Sequence, residues 1–93
     1  MKQHTSEEQT AKLIELGFEK PTMKNIPTPE GEINEEWYSI GELIKILGVH
    51  LSSIYYITGA FWVVNAEGLE RSSEELVDAL YDMIIKLKNE EVL

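Results

Sequence analysis

One segment near the carboxyl end of the chain, residues 73–88, constrains the fold more than any other. Five large apolar side chains recur in it at the spacing of one helix face: Leu76, Leu80, Met83, Ile84 and Leu87. Val77 lies at the edge of this stripe. Acidic residues fill its first turns and lysines its last, which complements the helix dipole. We therefore predict a helix that is capped by Ser72 or Ser73. The rest of the chain is expected to pack against the apolar stripe of this helix.

The composition allows one small folded domain, residues 1–93, of which 43% are hydrophobic. The chain has no cysteine, which excludes disulfides and thiolate metal sites. Residues 1–9 are polar and lack the apolar stretch of a signal peptide, and no apolar run approaches the length of a membrane span. We therefore expect a cytoplasmic protein that does not bind membranes.

Charge is distributed unevenly along the chain, whose net charge is −9. Two acidic segments, residues 1–36 and 67–93, flank a nearly neutral centre that holds most of the aromatic residues. Proteins bind nucleic acids mainly through clustered lysines and arginines, which this chain does not offer. We therefore expect no direct binding of nucleic acid.

A first short helix is predicted to begin at Thr5 or Ser6, because Thr5 is followed three residues later by Glu8 in the capping-box pattern. Gly17 is expected to end it in a left-handed conformation, with Phe18 folding back on Leu13.

The next segment, residues 19–36, contains all three prolines of the chain, which disfavour a helix. We predict an ordered but irregular connector with an exposed turn at residues 29–32. Its apolar side chains are expected to contact the core: Met23, Ile26 and Ile33.

A second short helix is signalled by Ser39 and Glu42, which form another capping box, and by Tyr38 and Leu43, which can form a hydrophobic staple. Gly48 is expected to end this helix, and the valine after it to contact the helix's apolar face.

Residues 54–57 and 61–64 are rich in aromatic and β-branched side chains and predict a β-hairpin. With Gly59 in the first central position of its turn, Ile57 would pair with Trp62 and Tyr55 with Val64. Both faces of this hairpin are apolar, so the sequence does not show which one faces solvent. Residues 69–71 are predicted to return as a third strand. The fold class is thus α+β: two short helices, a hairpin or three-stranded meander, and a long helix packed on the sheet.

Three apolar residues, Tyr81, Ile85 and Val92, widen the apolar arc of the last helix beyond what one sheet face requires. Either the proline-rich connector or a second copy of the chain would cover this flank. We expect the connector to cover it, and hence a monomer.

No catalytic, metal or cofactor motif stands out, so we expect neither an enzyme nor a cofactor. His4, on a terminus expected to fray, and His50, in a turn, have no partner at ligand spacing. The serines lie in no nucleophile pattern, and the glycines form no phosphate-binding loop.

The aromatic residues are the strongest functional candidates, because large amphipathic rings are favoured at protein interfaces. Phe61 and Ile57 are expected in the core. The possible interaction surface comprises Trp37, Tyr56, Trp62, Tyr81 and Ile85.

Two segments, residues 37–44 and 75–84, together with Leu16-Gly17-Phe18 and Pro21-Thr22, resemble small uncharacterised proteins encoded in phage-like and other mobile elements of gut bacteria. The likeness spans most of the chain, although those proteins often carry a tryptophan near position 86, where this chain has Lys86. The resemblance implies a genomic setting, and no activity or functional residue.

The leading functional hypothesis is a non-enzymatic accessory protein of a mobile element that binds an unidentified protein. The first alternative is an acidic mimic of DNA that blocks a host nucleic-acid-binding protein. It requires a contiguous acidic ridge of Glu70, Glu74, Asp78 and Asp82. A small-ligand or enzyme site between helix and sheet is the remaining alternative, and it requires a pocket there.

Overall fold

The computed structural model describes all residues, 1–93. It contains three α-helices: α1 (Glu7–Glu15), α2 (Ile40–Leu47) and α3 (Leu76–Asn89). It also contains five strands: β1 (Met23–Thr28), β2 (Gly31–Glu36), β3 (Leu51–Ile57), β4 (Phe61–Ala66) and β5 (Leu69–Ser73). Strands β1 and β2 form one antiparallel sheet, and the other three form a second in the order β3-β4-β5. The α+β class and the packing of the last helix on a sheet are as the sequence predicted.

Helix α3 is the centre of the hydrophobic core. Its apolar side chains are buried against β4, β5 and α2: Leu76, Val77, Ala79, Leu80, Met83, Ile84 and Leu87. Val77, predicted at the edge of the stripe, is fully buried. The core is completed by Leu13 of α1, by Leu43 and Leu47 of α2, and by Val64 of β4.

The start of α3 differs from the prediction. Ser72 and Ser73 do not cap it, because both lie in β5, where they pair with Val63 and Trp62. Glu75 occupies the N-cap position and makes no capping hydrogen bond with its side chain. The strand therefore continues nearly to the first turn of the helix, and only two residues separate the elements.

The register of the β3–β4 hairpin also differs from the prediction. Its loop has three residues, 58–60, so Ile57 pairs with Phe61 and Tyr55 with Val63. Gly59 lies in the middle of this loop with a φ of +76°, and the amide of Ala60 donates to the carbonyl of Ile57 over 2.9 Å. A two-residue turn was expected, and one additional loop residue moves every pair by one position.

The predicted third strand is present as β5 and joins β4 through a two-residue turn. Glu67 and Gly68 both have positive φ values, 51° and 74°, as a tight hairpin turn of the primed type requires. The carboxylate of Glu67 lies 2.6 Å from the Nδ1 of His50.

Helix α2 has the predicted capping box, whereas the box of α1 lies one residue later than the predicted pair, Thr5 and Glu8. In α1, Ser6 is the N-cap and forms a capping box with Gln9; the amide of Phe18 donates to the carbonyl of Leu13 over 3.2 Å, and Gly17 has a φ of +94°. In α2, Ser39 and Glu42 form the capping box, and Gly48 is the C-cap. The valine after Gly48 does not contact the helix as expected. It lies in a 3₁₀ turn (Gly48–His50) and is 95% exposed.

The proline-rich segment is not an irregular connector. It forms the β1–β2 hairpin, with Pro29 and Glu30 in the turn and Ile26 paired with Ile33. Prolines exclude a helix, but a two-stranded ribbon tolerates them because each strand has an edge where no N–H donor is needed. Met23 and Ile33 are exposed rather than packed in the core, and Ile26 is half-buried.

The flank of α3 is not covered by this segment either. Tyr81 and Ile85 are half-buried and line a shallow groove with residues of α3 and with Arg71 of β5. Val92 is 38% exposed. Arg71 of β5 points to the inner face and lies beside Tyr81 and Ile85. The prediction that the proline-rich segment covers this flank of α3 is therefore wrong. None of the helices is both long and apolar enough to cross a membrane.

A first prediction concerns the stripe of α3. Leu80 is fully buried, so Leu80→Ala removes packed apolar surface and leaves a cavity, and we expect it to lower the free energy of unfolding by about 2–5 kcal/mol. Val49→Ala, at an apolar but exposed position, is the control and should change it by less than about 0.5 kcal/mol. Urea denaturation measures both, and equal effects would show that the stripe is not the core.

A second prediction concerns the β4–β5 turn. Gly68 has a positive φ and Gly41 does not, so a residue with a side chain is strained at position 68 and not at position 41. Gly68→Ala should lower the free energy of unfolding by about 1 kcal/mol. Gly41→Ala, in the first turn of α2, should raise it by up to about 1 kcal/mol. A loss of stability in both variants, measured by thermal denaturation, would contradict this turn geometry.

Candidate functional site

The three-stranded sheet has one face that no helix covers. Residues paired directly across antiparallel strands lie on the same face, and faces alternate along each strand. Val64, on the inner face, is buried in the core with α3. Val63 and Phe61 of β4 therefore point to the opposite face, as do the residues that pair with them in β3. We call these four residues the outer face: Tyr55, Ile57, Phe61 and Val63.

The outer face is apolar and largely open to solvent. Tyr55 is 45% exposed, Ile57 43% and Phe61 36%, whereas Val63 is 2% exposed. Val63 lies in the central strand, between Tyr55 of β3 and Ser72 of β5. Phe61 and Ile57 were expected in the core, and that expectation is wrong.

Polar residues lie next to the outer face, on the same side of the sheet. Asn65 donates a hydrogen bond to the hydroxyl of Ser53 across β3 and β4 over 3.1 Å. Glu70 pairs with Asn65 and Ser72 with Val63, so both share this face. Glu70 is the only charged residue that the three strands place there.

Tyr56 and Trp62 form a second aromatic group at the end of the hairpin. They pair across β3 and β4 on the inner face, and their ring centroids are 5.0 Å apart at an interplanar angle of 51°. Trp62 packs partly against the core, while Tyr56 is 48% exposed. Two of the residues predicted to form an interaction surface are thus adjacent and partly accessible.

Trp37 lies elsewhere, between β2 and α2. The ring of His4 stacks on it with centroids 4.1 Å apart, and the Lys24 ammonium lies 4.5 Å from its centroid. Its indole Nε1 is buried and has no hydrogen-bond partner. The structure therefore gives Trp37 packing contacts that order the N-terminal segment and the root of the β1–β2 hairpin.

Lys24 also joins this hairpin to α2. Its Nζ lies 2.6 Å from the Glu42 carboxylate and donates to the carbonyl of Trp37 over 2.7 Å. Burial raises the pKa of Glu42, but hydrogen bonds from Lys24, Ser39 and Thr22 outweigh it and lower the pKa to about 2. Glu42 is therefore ionised at neutral pH and stabilises this junction.

The N-terminal segment is tied down rather than frayed. The amide of Lys2 donates to the Glu75 carboxylate over 2.6 Å, and the Lys2 ammonium lies 2.8 Å from Asp78. Gln9 donates to the same Asp78 oxygen over 2.9 Å. His4 forms an isolated β-bridge with Ser39. The expectation of a frayed terminus is wrong because these polar contacts and the Trp37 stack hold residues 2–5.

These contacts also divide the expected acidic ridge. Although burial raises the pKa of Asp78, hydrogen bonds from Lys2 and Gln9 lower it. Burial raises the pKa of Asp82, as does Asp78, against the effect of Arg71. Glu70 lies on the outer face of the sheet, with the core between it and α3. Glu74 lies in the short connection between β5 and α3. The four acids therefore do not form one contiguous surface.

The space between helix and sheet, where the remaining alternative required a pocket, is filled by core side chains. The largest cleft, of about 660 Å³, lies instead between α1, the N-terminal segment and β2. Its lining is mostly polar and includes three carboxylates, Glu7, Glu35 and Glu36. No three histidine or acidic side chains are grouped closely enough to hold a metal ion.

The five residues predicted as an interaction surface do not come together. Tyr56 and Trp62 are adjacent, Tyr81 and Ile85 share the groove beside β5, and Trp37 belongs to the junction with the first hairpin. Sequence reasoning missed the outer face. The available signal was a hairpin with two apolar faces in a chain that has only one long apolar helix to cover them.

No family model, curated protein or solved structure matches this chain.

A third prediction concerns pH. A lowered pKa in the folded state means that ionised Glu42 stabilises the fold above its unfolded pKa, near 4.3, and that this contribution is lost as the pH falls toward about 2. Glu42→Gln retains the capping geometry that Gln9 provides in α1 but loses the charge opposite Lys24. We expect the variant to be less stable by about 1 kcal/mol at pH 7.

The measurement is urea denaturation of both proteins at pH 7 and near pH 3. The difference in free energy of unfolding should shrink at the lower pH, because there the Glu42 carboxyl is protonated in the unfolded chain but still ionised in the folded one, so that folding must release a proton. A difference that stays constant or grows as the pH falls would contradict the assigned charge pairing.

Proposed function

We propose that this chain is a non-enzymatic protein-binding module whose outer face docks another protein. The observation that carries the proposal is the exposed apolar group on the uncovered side of the sheet. Contiguous exposed apolar surface on a small domain is typical of interaction sites. Tyrosine and phenylalanine are enriched at such sites because a rigid ring buries a large area at a small cost in conformational entropy.

The fold does not need these residues outward for its own core. Helix α3 buries its stripe against the inner face, and Val64 and Ala66 complete that interface. A polar outer face would leave this packing unchanged and would be the usual pattern for an antiparallel sheet with one covered face. The apolar outer face is therefore best explained by something that binds it.

The charge of the chain favours a basic partner. Glu70 is the only charged residue on the outer side of the three strands, and the whole chain carries −9. A second copy would bring an equal negative charge to the interface, whereas a basic protein would be attracted over a distance set by the ionic strength. We therefore infer a partner with an apolar centre and a lysine- or arginine-rich rim.

The proposal carries no catalytic step. The interface between α3 and the sheet is filled by core side chains, which disfavours the alternative of a small-ligand or enzyme site at that place. The acidic DNA-mimic alternative is not favoured, because its four carboxylates are divided between separate surfaces. A role as an accessory protein of a mobile element remains part of the proposal and rests on the sequence resemblance alone.

A fourth prediction tests the outer face by site-specific photo-cross-linking. A photoreactive phenylalanine analogue replaces Phe61, and in a control variant it replaces Lys12, an exposed residue of α1. After irradiation in a lysate of cells that express the chain, the position-61 variant should form a discrete adduct with a basic protein, and the control should not. The yield of this adduct should fall as salt is added.

Two results would overturn the proposal. Identical adducts from both positions, or none from either, would show that the outer face has no specific partner. An adduct of twice the chain mass would show that the occupant is a second copy and would contradict the inferred basic partner.

A further inference from the structure

Strand β3 is an unprotected edge of the three-stranded sheet. Strand order places β4 on one side of it and no strand on the other, and β4 is the only element that packs extensively along it. The free side of an edge strand presents unpaired backbone N–H and C=O groups to which another strand can bind.

The sequence of β3 lacks the usual protection of such an edge. Residues 51–57 contain no proline and no charged side chain. The opposite edge, β5, carries Glu70 and Arg71, and β1 carries Lys24 and Pro27. The irregularity in β3 lies at its start, between Leu51 and Ser53, and leaves residues 54–57 regular. Proteins generally block an edge that is not used for pairing, so this one is unusual in being open.

The side chains along this edge define what a strand bound there would meet. On one side it would lie beside Tyr55 and Ile57 and would extend the apolar outer face. On the other side it would lie beside Tyr56, which is 48% exposed and whose ring contacts that of Trp62 at an angle of 51°. An aromatic ring in this position attracts lysine or arginine through a cation–π interaction.

We propose that the free edge of β3 binds an extended segment of the partner as a fourth strand, in which apolar and basic residues alternate. The apolar side chains contact Tyr55 and Ile57, and the basic ones contact Tyr56. Backbone hydrogen bonds supply affinity, while the alternation of side chains sets specificity. This inference rests on the proposed function and specifies how the partner is bound.

The net charge of −9 on the chain determines the sign of the charge that we expect on the bound segment. An acidic or neutral strand would gain nothing from the field of the chain, and a second copy would bring its own net charge of −9 to the interface. A basic segment is attracted to this negatively charged chain before it pairs.

The experiment uses synthetic peptides and the intact, isotope-labelled chain. The first peptide alternates valine and lysine over about eight residues, which is enough to span the edge. Three controls differ in one property each: valine alternating with glutamate, the same valines and lysines in two blocks, and the alternating peptide with a central proline. The measured quantity is the amide hydrogen-exchange rate of residues 51–57, detected by NMR.

Of the four peptides, we expect only the alternating valine–lysine peptide to slow hydrogen exchange of the β3 amides that point to the free edge of the sheet, by about tenfold or more at saturation. Tyr56→Leu should bind it about two- to fivefold more weakly, because the cation–π contact is lost while an apolar side chain is kept. Tyr81→Leu, in the groove beside β5, is the matched control and should bind normally.

Equal binding of the proline-containing or block peptide would overturn the inference, since neither can form a continuous alternating strand. Shifts spread over residues 1–36 and 67–93 without slowed exchange in β3 would also overturn it, because they indicate general attraction to acidic surface. If Phe61 forms a specific cross-link while the β3 amides stay unprotected, the proposed function stands and the edge-binding mode fails. Absence of both signals rejects both.

Discussion

The structure depends on the burial of one helix, α3, against one face of a three-stranded sheet. Leu80, Met83, Ile84 and Leu87 have no solvent exposure, and each buried side chain of this size contributes about 1.5–3 kcal/mol of hydrophobic free energy. Helices α1 and α2 are too short to be stable alone, so each persists by docking a few apolar residues onto this core. The β1–β2 hairpin depends on it less directly, through the contacts of Lys24 with Glu42 and Trp37.

A single helix covers a single face, and this geometry accounts for the candidate site. The apolar residues of β3 and β4 alternate between the faces, so α3 can bury only one set. The three-residue loop at residues 58–60 determines which residues share a face across the hairpin: it pairs Tyr55 with Val63 and Ile57 with Phe61. The four therefore form one surface. With the two-residue turn, Tyr55 and Ile57 would have been paired with Val64 and Trp62.

Local signals were the most predictable part of this fold. The capping boxes at Ser6 and Ser39 and the glycine endings at Gly17 and Gly48 involve residues within a few positions of one another, so sequence alone predicts them well. The stripe of α3 and the existence of the β3–β4 hairpin follow from periodicity. The hairpin formed by the proline-rich segment was missed, because its two apolar positions, Ile26 and Ile33, give too weak an alternation to indicate strands.

The features that decide the candidate site were less predictable, because they depend on pairings between distant residues. Loop length sets register, and one residue more or less in the loop is not determined by the presence of Gly59. The tie between Lys2 and Asp78 joins residues at opposite ends of the chain, and no local pattern encodes it. The exposure of Phe61 and Ile57 likewise follows from which face α3 selects.

The central claim is that α3 covers one face of the sheet and leaves the other open in the isolated chain. Hydroxyl-radical footprinting read by mass spectrometry tests it directly, since the chain carries internal standards: Met1 and Met23 are exposed and Met83 is buried. The account predicts rapid oxidation of Tyr55 and Phe61, alongside Met1 and Met23, with Met83 unmodified. Oxidation of Met83 as fast as Met23, or protection of Tyr55 and Phe61 in the purified chain, would contradict it.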